Sequence, residues 1–269
     1  MSPVQDVRTR EIGQRAAFTL VELLVIVAVV ALLASIAYPA LANTKNNGHV
    51  ARCMNNLRQL TSVWSMYAAD NQDLLVAGAK PVGGNMSWTS SSDNTNTAIL
   101  SDPTLSPFGA YVKAPELYKC PADRYQSAAN PGPRVRSVSM SSNLGGTIAK
   151  DISNQTPGRT YFLAQKSSDL STPGPAMIFV MLDEHPDKIN DSTFFAAVGF
   201  VAANARFQDF PGSLHSGSGS LSFADGHFEA KRWRDPRTLR AVAYTTFGLT
   251  SVPDSEDYVW LNDRQPYRE

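Results

Sequence analysis

Apolar residues follow three different patterns along this chain. From Phe18 to Tyr38 they run almost without a break, FTLVELLVIVAVVALLASIAY, 21 residues with a single charge, Glu22. A helix rises 1.5 Å per residue, so the block reaches about 30 Å, the thickness of a bilayer's hydrocarbon core. From Val50 to Tyr67 the pattern becomes periodic. Val50, Cys53, Met54, Leu57, Leu60, Trp64 and Tyr67 recur at steps of three and four, while Lys45, Arg52, Asn55, Arg58 and Gln59 fall mostly between them. That spacing predicts an amphipathic helix with one face for a core, ending near Ala69-Asp70-Asn71. Pro39 lies between the two stretches and predicts a kink.

Beyond the helices the pattern shortens to strand length. Residues 78–98 are rich in Gly, Ser, Asn and Thr and predict a polar surface loop. A short helix is expected within residues 105–119, ahead of Cys120. RVRSVSMSS (134–142) alternates enough to predict a strand, and AMIFVMLDEH (176–185) reads as a buried strand ending in three polar residues. SLSFADGHFEAKRW (220–233) predicts two strands joined by Asp225-Gly226 in a two-residue type I′ turn, with Phe223 opposite Phe228 and Leu221 opposite Ala230. The expected fold is α+β: a long N-terminal helix, membrane-spanning in its first half and amphipathic in its second, packed on an antiparallel β-sheet head.

Composition narrows the function. Twenty-four basic and 24 acidic side chains give a formal net charge of zero, which argues against nucleic acid as a partner. The mean hydropathy of −0.21 averages an apolar N-terminal block with a more polar remainder. No G-x-S-x-G, P-loop or H-E-x-x-H motif is present, and SGSGS (216–220) does not open a helix suited to phosphate. No enzymatic activity is expected. Two cysteines exclude a disulfide-dense scaffold and cannot alone make a four-ligand zinc site.

The apolar block admits three readings. Ala40-Leu41-Ala42 is an A-x-A-like site, as in a secretory signal peptide, but the run exceeds the usual h-region of about 7–15 residues. A plain single-pass anchor leaves Glu22 without a task, and a carboxylate inside a span costs about 2.5–3.5 kcal/mol on insertion scales. The third reading uses Glu22. Ala17-Phe18-Thr19-Leu20-Val21-Glu22 resembles the cleavage region of type IV prepilins and type II secretion pseudopilins, with Ala17 where that family usually has Gly. The resemblance implies cleavage between Ala17 and Phe18 by prepilin peptidase and N-methylation of Phe18. It also implies that Glu22, the fifth mature residue, pairs with the positive N-terminus of a neighbouring subunit during assembly. CMNNLRQLTSVWSMYAADNQ is similar to the second half of the long helix of G-type pseudopilins, and DFPGSLHSGSGSLSFADGHFEAKRW resembles the H-x9-DG C-terminal region of prepilin-like proteins.

The organisation so implied is a leader at 1–17, a transmembrane or filament-core helix at 18–38, an amphipathic helix at 39–72 and an α+β head at 73–269. Arg8, Arg10 and Arg15 before the span balance Lys45, Arg52 and Arg58 after it, so charge does not orient it. The family places the leader in the cytoplasm and the head in the periplasm, outside a bacterial inner membrane. Expected partners are prepilin peptidase, other pilin or pseudopilin subunits in a filament, the secretion assembly platform and the inner membrane. The expected function is that of a structural subunit of a secretion pseudopilus. The alternative is a membrane-anchored periplasmic metal-binding or enzymatic domain.

In that compartment Cys53 and Cys120 are candidates for a disulfide. Closing the 67-residue separation would contribute about 4 kcal/mol in the chain-entropy model. Two buried free thiols are the alternative, and catalysis by Cys120 is disfavoured because no His lies near it in sequence. Asp183, Glu184, His185, Asp209, His215, Asp225 and His227 are the other potential ligands, with Asp183, Glu184, His215 and Asp225 the candidate metal set. Calcium would use the carboxylates and zinc the histidines. G-type pseudopilins bind calcium through a C-terminal loop that has no residue-by-residue match here. No cofactor is required, calcium being the optional one. A purely structural account of the same residues stands beside it: Asp225 for the turn, His215 for a backbone hydrogen bond closing the Gly/Ser loop.

Overall fold

The computed structural model describes residues 19–77, 80–146, 151–153, 155–196 and 198–269, leaving aside the side chains of 36–47, 151 and 153. The chain divides into two compact units, residues 1–45 and 46–269. Helix α1 runs Leu20–Asp70, and its end matches the end of the amphipathic pattern. Helical backbone continues through Pro39.

In the first unit, Thr19 and Glu22 form a reciprocal cap. The Thr19 amide and hydroxyl both donate to Glu22 Oε2, at 2.9 and 2.8 Å, and the Glu22 amide donates back to Thr19 Oγ1 at 3.2 Å. This is the T-x-x-E capping box, which satisfies amides left open at a helix start. The side chains that follow are apolar and exposed, Leu32 and Leu33 at 64% and 62% among them. Among the described residues no helix is long and apolar enough to cross a membrane. The described apolar side chains run only from Leu20 to Ser35, about 24 Å of helix against a hydrocarbon core of about 30 Å. Phe18 of the expected 18–38 span lies outside the described residues, as do the side chains of 36–38.

The second unit is built on a five-stranded sheet. In chain order the strands of the unit are β1 (Val138–Ser141), β2 (Asp151–Ser153), β3 (Thr160–Phe162), β4 (Phe179–Asp183), β5 (Thr193–Phe194), β6 (Arg206–Phe207), β7 (Ser218–Phe223), β8 (Phe228–Arg232), β9 (Thr250–Ser251) and β10 (Tyr267–Arg268). The main sheet has the order β5-β1-β4-β7-β8; β10-β3-β2 and β6-β9 form two small ones. All pairings in the main sheet are antiparallel except β1 with β5, which is parallel. The sheet is therefore mixed rather than purely antiparallel.

Both faces of the main sheet are covered. On one, Leu57, Leu60 and Trp64 of the predicted α1 stripe, with Val63 beside them, are buried in a core with Val138, Met140, Val180 and Met181. On the other, Phe179, Leu182, Leu221 and Phe223 meet Phe194, Phe207, Phe210 and Trp233, together with Tyr258 and Leu261 of α3 (Glu256–Asn262). The remaining short helix, α2, is Ala98–Ser101. Double coverage explains why Ser220 and Ser222, placed by alternation away from Leu221, are fully buried. Ser222 accepts a 2.7 Å hydrogen bond from Thr61 of α1.

The β7–β8 hairpin forms in a register one residue from the one expected. Ser222 pairs with Phe228, Leu221 with Glu229 and Ser220 with Ala230. A type I′ turn needs positive φ at both central residues, but only Gly226 has it, at 90°. The Gly226 amide bonds the Phe223 carbonyl at 2.9 Å and the Phe223 amide bonds the His227 carbonyl at 2.9 Å. That is a three-residue loop with a bulge at the glycine, which takes one more residue than a type I′ turn and moves every pair by one.

Segment 78–98 is less superficial than its composition suggests. Val82, Met86 and Asn94 are buried, and Asn94 bonds the Ser87 backbone at both its amide and its carbonyl.

Candidate functional site

Four of the chemically capable side chains converge in the second unit. Cys53 comes from the buried face of α1. Cys120 follows a short 3-10 helix, Pro115–Tyr118. Its amide donates to Ser137 Oγ at 2.6 Å, and the Asp123 amide closes a turn on its carbonyl at 3.0 Å. Asp183 is the last residue of β4, paired with Val138. His215 lies in the loop entering β7, where its amide and carbonyl exchange 3.1 Å hydrogen bonds with Ser218.

That loop is pressed against the end of β4. The Gly212 amide donates to the Asp183 carbonyl at 2.6 Å, and the Gly212 carbonyl accepts from Trp233 Nε1 at 2.8 Å. A Cβ at position 212 would stand 3.1 Å from both the Asp183 Cβ and its carbonyl oxygen. Glycine is needed here for close approach, and the approach brings His215 to Asp183.

The four functional atoms form a compact set. Cys53 Sγ lies 3.1 and 3.2 Å from Asp183 Oδ1 and Oδ2. His215 Nε2 lies 3.5 Å from Asp183 Oδ2 and 3.3 Å from Cys120 Sγ. One ligand atom from each of the four residues falls within 4.8 Å of every other. All four residues are buried, none more than 2% exposed. The Ser220 amide adds a 3.2 Å hydrogen bond to Asp183 Oδ2, while His215 Nδ1 is buried without a hydrogen bond.

The electrostatics are those of a crowded, dry cluster. Burial disfavours a charged His215, but its hydrogen bonds with Asp183 and Cys120 outweigh this and raise its pKa to about 10. The shared sulfur contact and burial hold the Cys53 thiol well above the usual range, and the same contact lowers that of Cys120.

The sequence-predicted residues sort into two groups. Asp183 and His215 come together; Glu184 and Asp225 do not join them. Glu184 is buried facing the other way, accepting a 2.5 Å hydrogen bond from Ser139, with its carboxyl raised well above the usual range by burial. Asp225 sits on the exposed hairpin loop, 2.6 Å from His227 Nδ1. The oxygen-rich set expected for calcium is thus not assembled by these residues. The expected Cys53–Cys120 bond is not formed either: both are free, buried thiols, brought together by the fold. His215, 95 residues from Cys120 in sequence, is its nearest imidazole, so the distance argument that set Cys120 apart from histidine fails in space. The spacing H-x9-DG is one pass of β7: His215 precedes the strand and Asp225-Gly226 turns the chain after it. Along the sequence the cysteines and the Asp/His residues are separate features. Cys53 on the apolar stripe was the available sign that its sulfur faces the sheet.

A cavity of 590 Å³ in this unit is lined by Ser142, Asn143, Phe195, Phe200 and Arg206 among others, and none of the four cluster residues lines it.

At the N-terminus, Ala17 and Phe18 lie outside the described residues, and Glu22 is exposed in the cap with Thr19. A family model described as the prokaryotic N-terminal methylation motif matches residues 13–38. Comparison with curated proteins and with solved structures gives no match. The match covers both Phe18 and Glu22, and the chain thus carries a prokaryotic N-terminal methylation motif, consistent with the type IV prepilin-like family.

Proposed function

We propose that the chain is a pilin-like structural subunit of a type II secretion pseudopilus and not an enzyme. Prepilin peptidase removes residues 1–17 and methylates the new amino group of Phe18. The 18–38 helix then holds the subunit in the bacterial inner membrane with the 73–269 head in the periplasm, and later packs in the filament core. Neighbouring subunits and the secretion assembly platform are its partners. The observation that carries this reading is the coincidence of the methylation motif, residues 13–38, with a helix whose apolar side chains from Leu20 to Leu33 are left exposed. Exposed apolar surface on this scale marks a membrane or protein interface.

Glu22 supplies the registry. A lone carboxylate in an apolar environment is costly, and a partner amine offsets the cost, so packing is favoured where the Glu22 carboxylate of one subunit meets the N-terminus of the next. The cap with Thr19 holds the side chain until then. Two variants separate the charge from the cap. Glu22→Ala removes both, whereas Glu22→Gln retains a capping side chain without the charge. Both proteins are expected in the membrane at normal levels and absent from sheared or cross-linked filaments. Normal incorporation of the Gln variant would exclude charge pairing as the registry device.

A further inference from the structure

We infer that Cys53, Cys120, Asp183 and His215 are the ligands of a closed, tetrahedral zinc site that ties α1 to the sheet. The donor set is chemically apt: two thiols, an imidazole and a carboxylate match the groups zinc takes in four-coordinate sites, and two soft sulfurs disfavour calcium or magnesium. The geometry is apt as well. Bonds of about 2.3 Å to sulfur and about 2.0–2.2 Å to nitrogen and oxygen, at tetrahedral angles, place ligand atoms about 3.4–3.8 Å apart. The cluster shows 3.2 Å from Cys53 Sγ to Asp183 Oδ2, 3.5 Å from there to His215 Nε2 and 3.3 Å on to Cys120 Sγ. These three distances are close to the edges of such a tetrahedron, and the remaining ones stay within 4.8 Å.

Burial supplies the driving force. Four polar groups, each 2% exposed or less, have little besides one another and the Ser220 amide to bond, and buried polar groups of this kind are costly unless satisfied. With two thiolates, one carboxylate and neutral His215 the site carries a net charge of −1 around zinc, and the ligands release their protons as the ion binds. The rival state is a Cys53–Cys120 disulfide. It requires the sulfurs to close to about 2.05 Å, whereas here both are free thiols that also touch Asp183 and His215. The ligands come from α1, the 120 turn, β4 and the 215 loop, so one ion fixes four separate segments, which is a structural rather than a catalytic arrangement.

The test uses the full chain, purified in detergent without chelators. Elemental mass spectrometry is expected to find one zinc per chain, lost in Cys53→Ser and His215→Ala and retained in Asp225→Asn. Replacing zinc with Co²⁺ in the unmodified chain should give the thiolate charge-transfer and intense d–d bands of tetrahedral cobalt with two sulfurs. This holds the inference open to refutation even where a ligand variant does not fold. Both cysteines should react with iodoacetamide only after chelation and unfolding. A chain lacking zinc and lighter by two hydrogens, a metal-free chain with two free thiols that takes up no Co²⁺, or cobalt spectra without sulfur ligation would each overturn it.

Discussion

Asp209 is held 8% exposed, accepting a 2.7 Å hydrogen bond from the Phe195 amide with Lys188 Nζ at 3.9 Å. Burial outweighs both contacts and raises its pKa from 3.8 to about 6. The folded state therefore holds this proton more tightly than the unfolded chain does. The stabilisation is full below about pH 4 and is lost as pH rises through about 6, with a span of about 3 kcal/mol at most. Asp209→Asn should flatten the dependence of the urea midpoint on pH between 4 and 7 and raise it at pH 8. An unchanged slope would show that the carboxylate is better solvated than the structure places it. At this scale the sequence was informative about residue type and uninformative about grouping. Asp183 and Glu184 are adjacent, yet alternation at the end of β4 and just beyond it sends one towards Cys53 and the other towards Ser139. His215 and Asp225 belong to one motif, yet β7 carries them to opposite ends. Which carboxylate meets which histidine depends on strand pairing, and pairing is a long-range property.

Elements with a clean period were legible. The stripe of α1, β4 within 176–185, β1 within 134–142 and the 220–233 hairpin all formed where the pattern put them. The hairpin register was not legible, because Asp-Gly serves both a type I′ turn and a type I turn with a glycine bulge, and only φ at Asp225 separates them. The two-residue strands β5, β6, β9 and β10 are too short to carry a period at all. The α3 helix does carry a start signal in the sequence, Ser255-Glu256-Asp257, with the Ser255 hydroxyl accepting from the Tyr258 amide. The packing of α1 gives a prediction at the same scale. Leu60 is fully buried among the residues that join α1 to β1 and β4, so Leu60→Ala should cost about 2–5 kcal/mol in urea unfolding of the detergent-solubilised chain. A loss below about 1 kcal/mol would mean that α1 is not integral to this core.

At the scale of the whole molecule, the neutral charge and ordinary mean hydropathy conceal two compact units with different surfaces. Residues 46–269 bury their apolar side chains in cores on both faces of a sheet. The N-terminal helix instead presents Leu20 to Leu33 outward, and the methylation motif covers the same stretch. We read this asymmetry as that of a subunit whose first helix is completed by other molecules, lipid before assembly and neighbouring helices after it. The zinc site would serve the same end by holding α1 firmly to the head it must carry. The most direct measurement is the intact mass and N-terminal sequence of the chain recovered from bacterial membranes containing prepilin peptidase. The account predicts a chain beginning at Phe18 and carrying one N-methyl group. A chain beginning at Asn43, or one retaining residues 2–17, would contradict it.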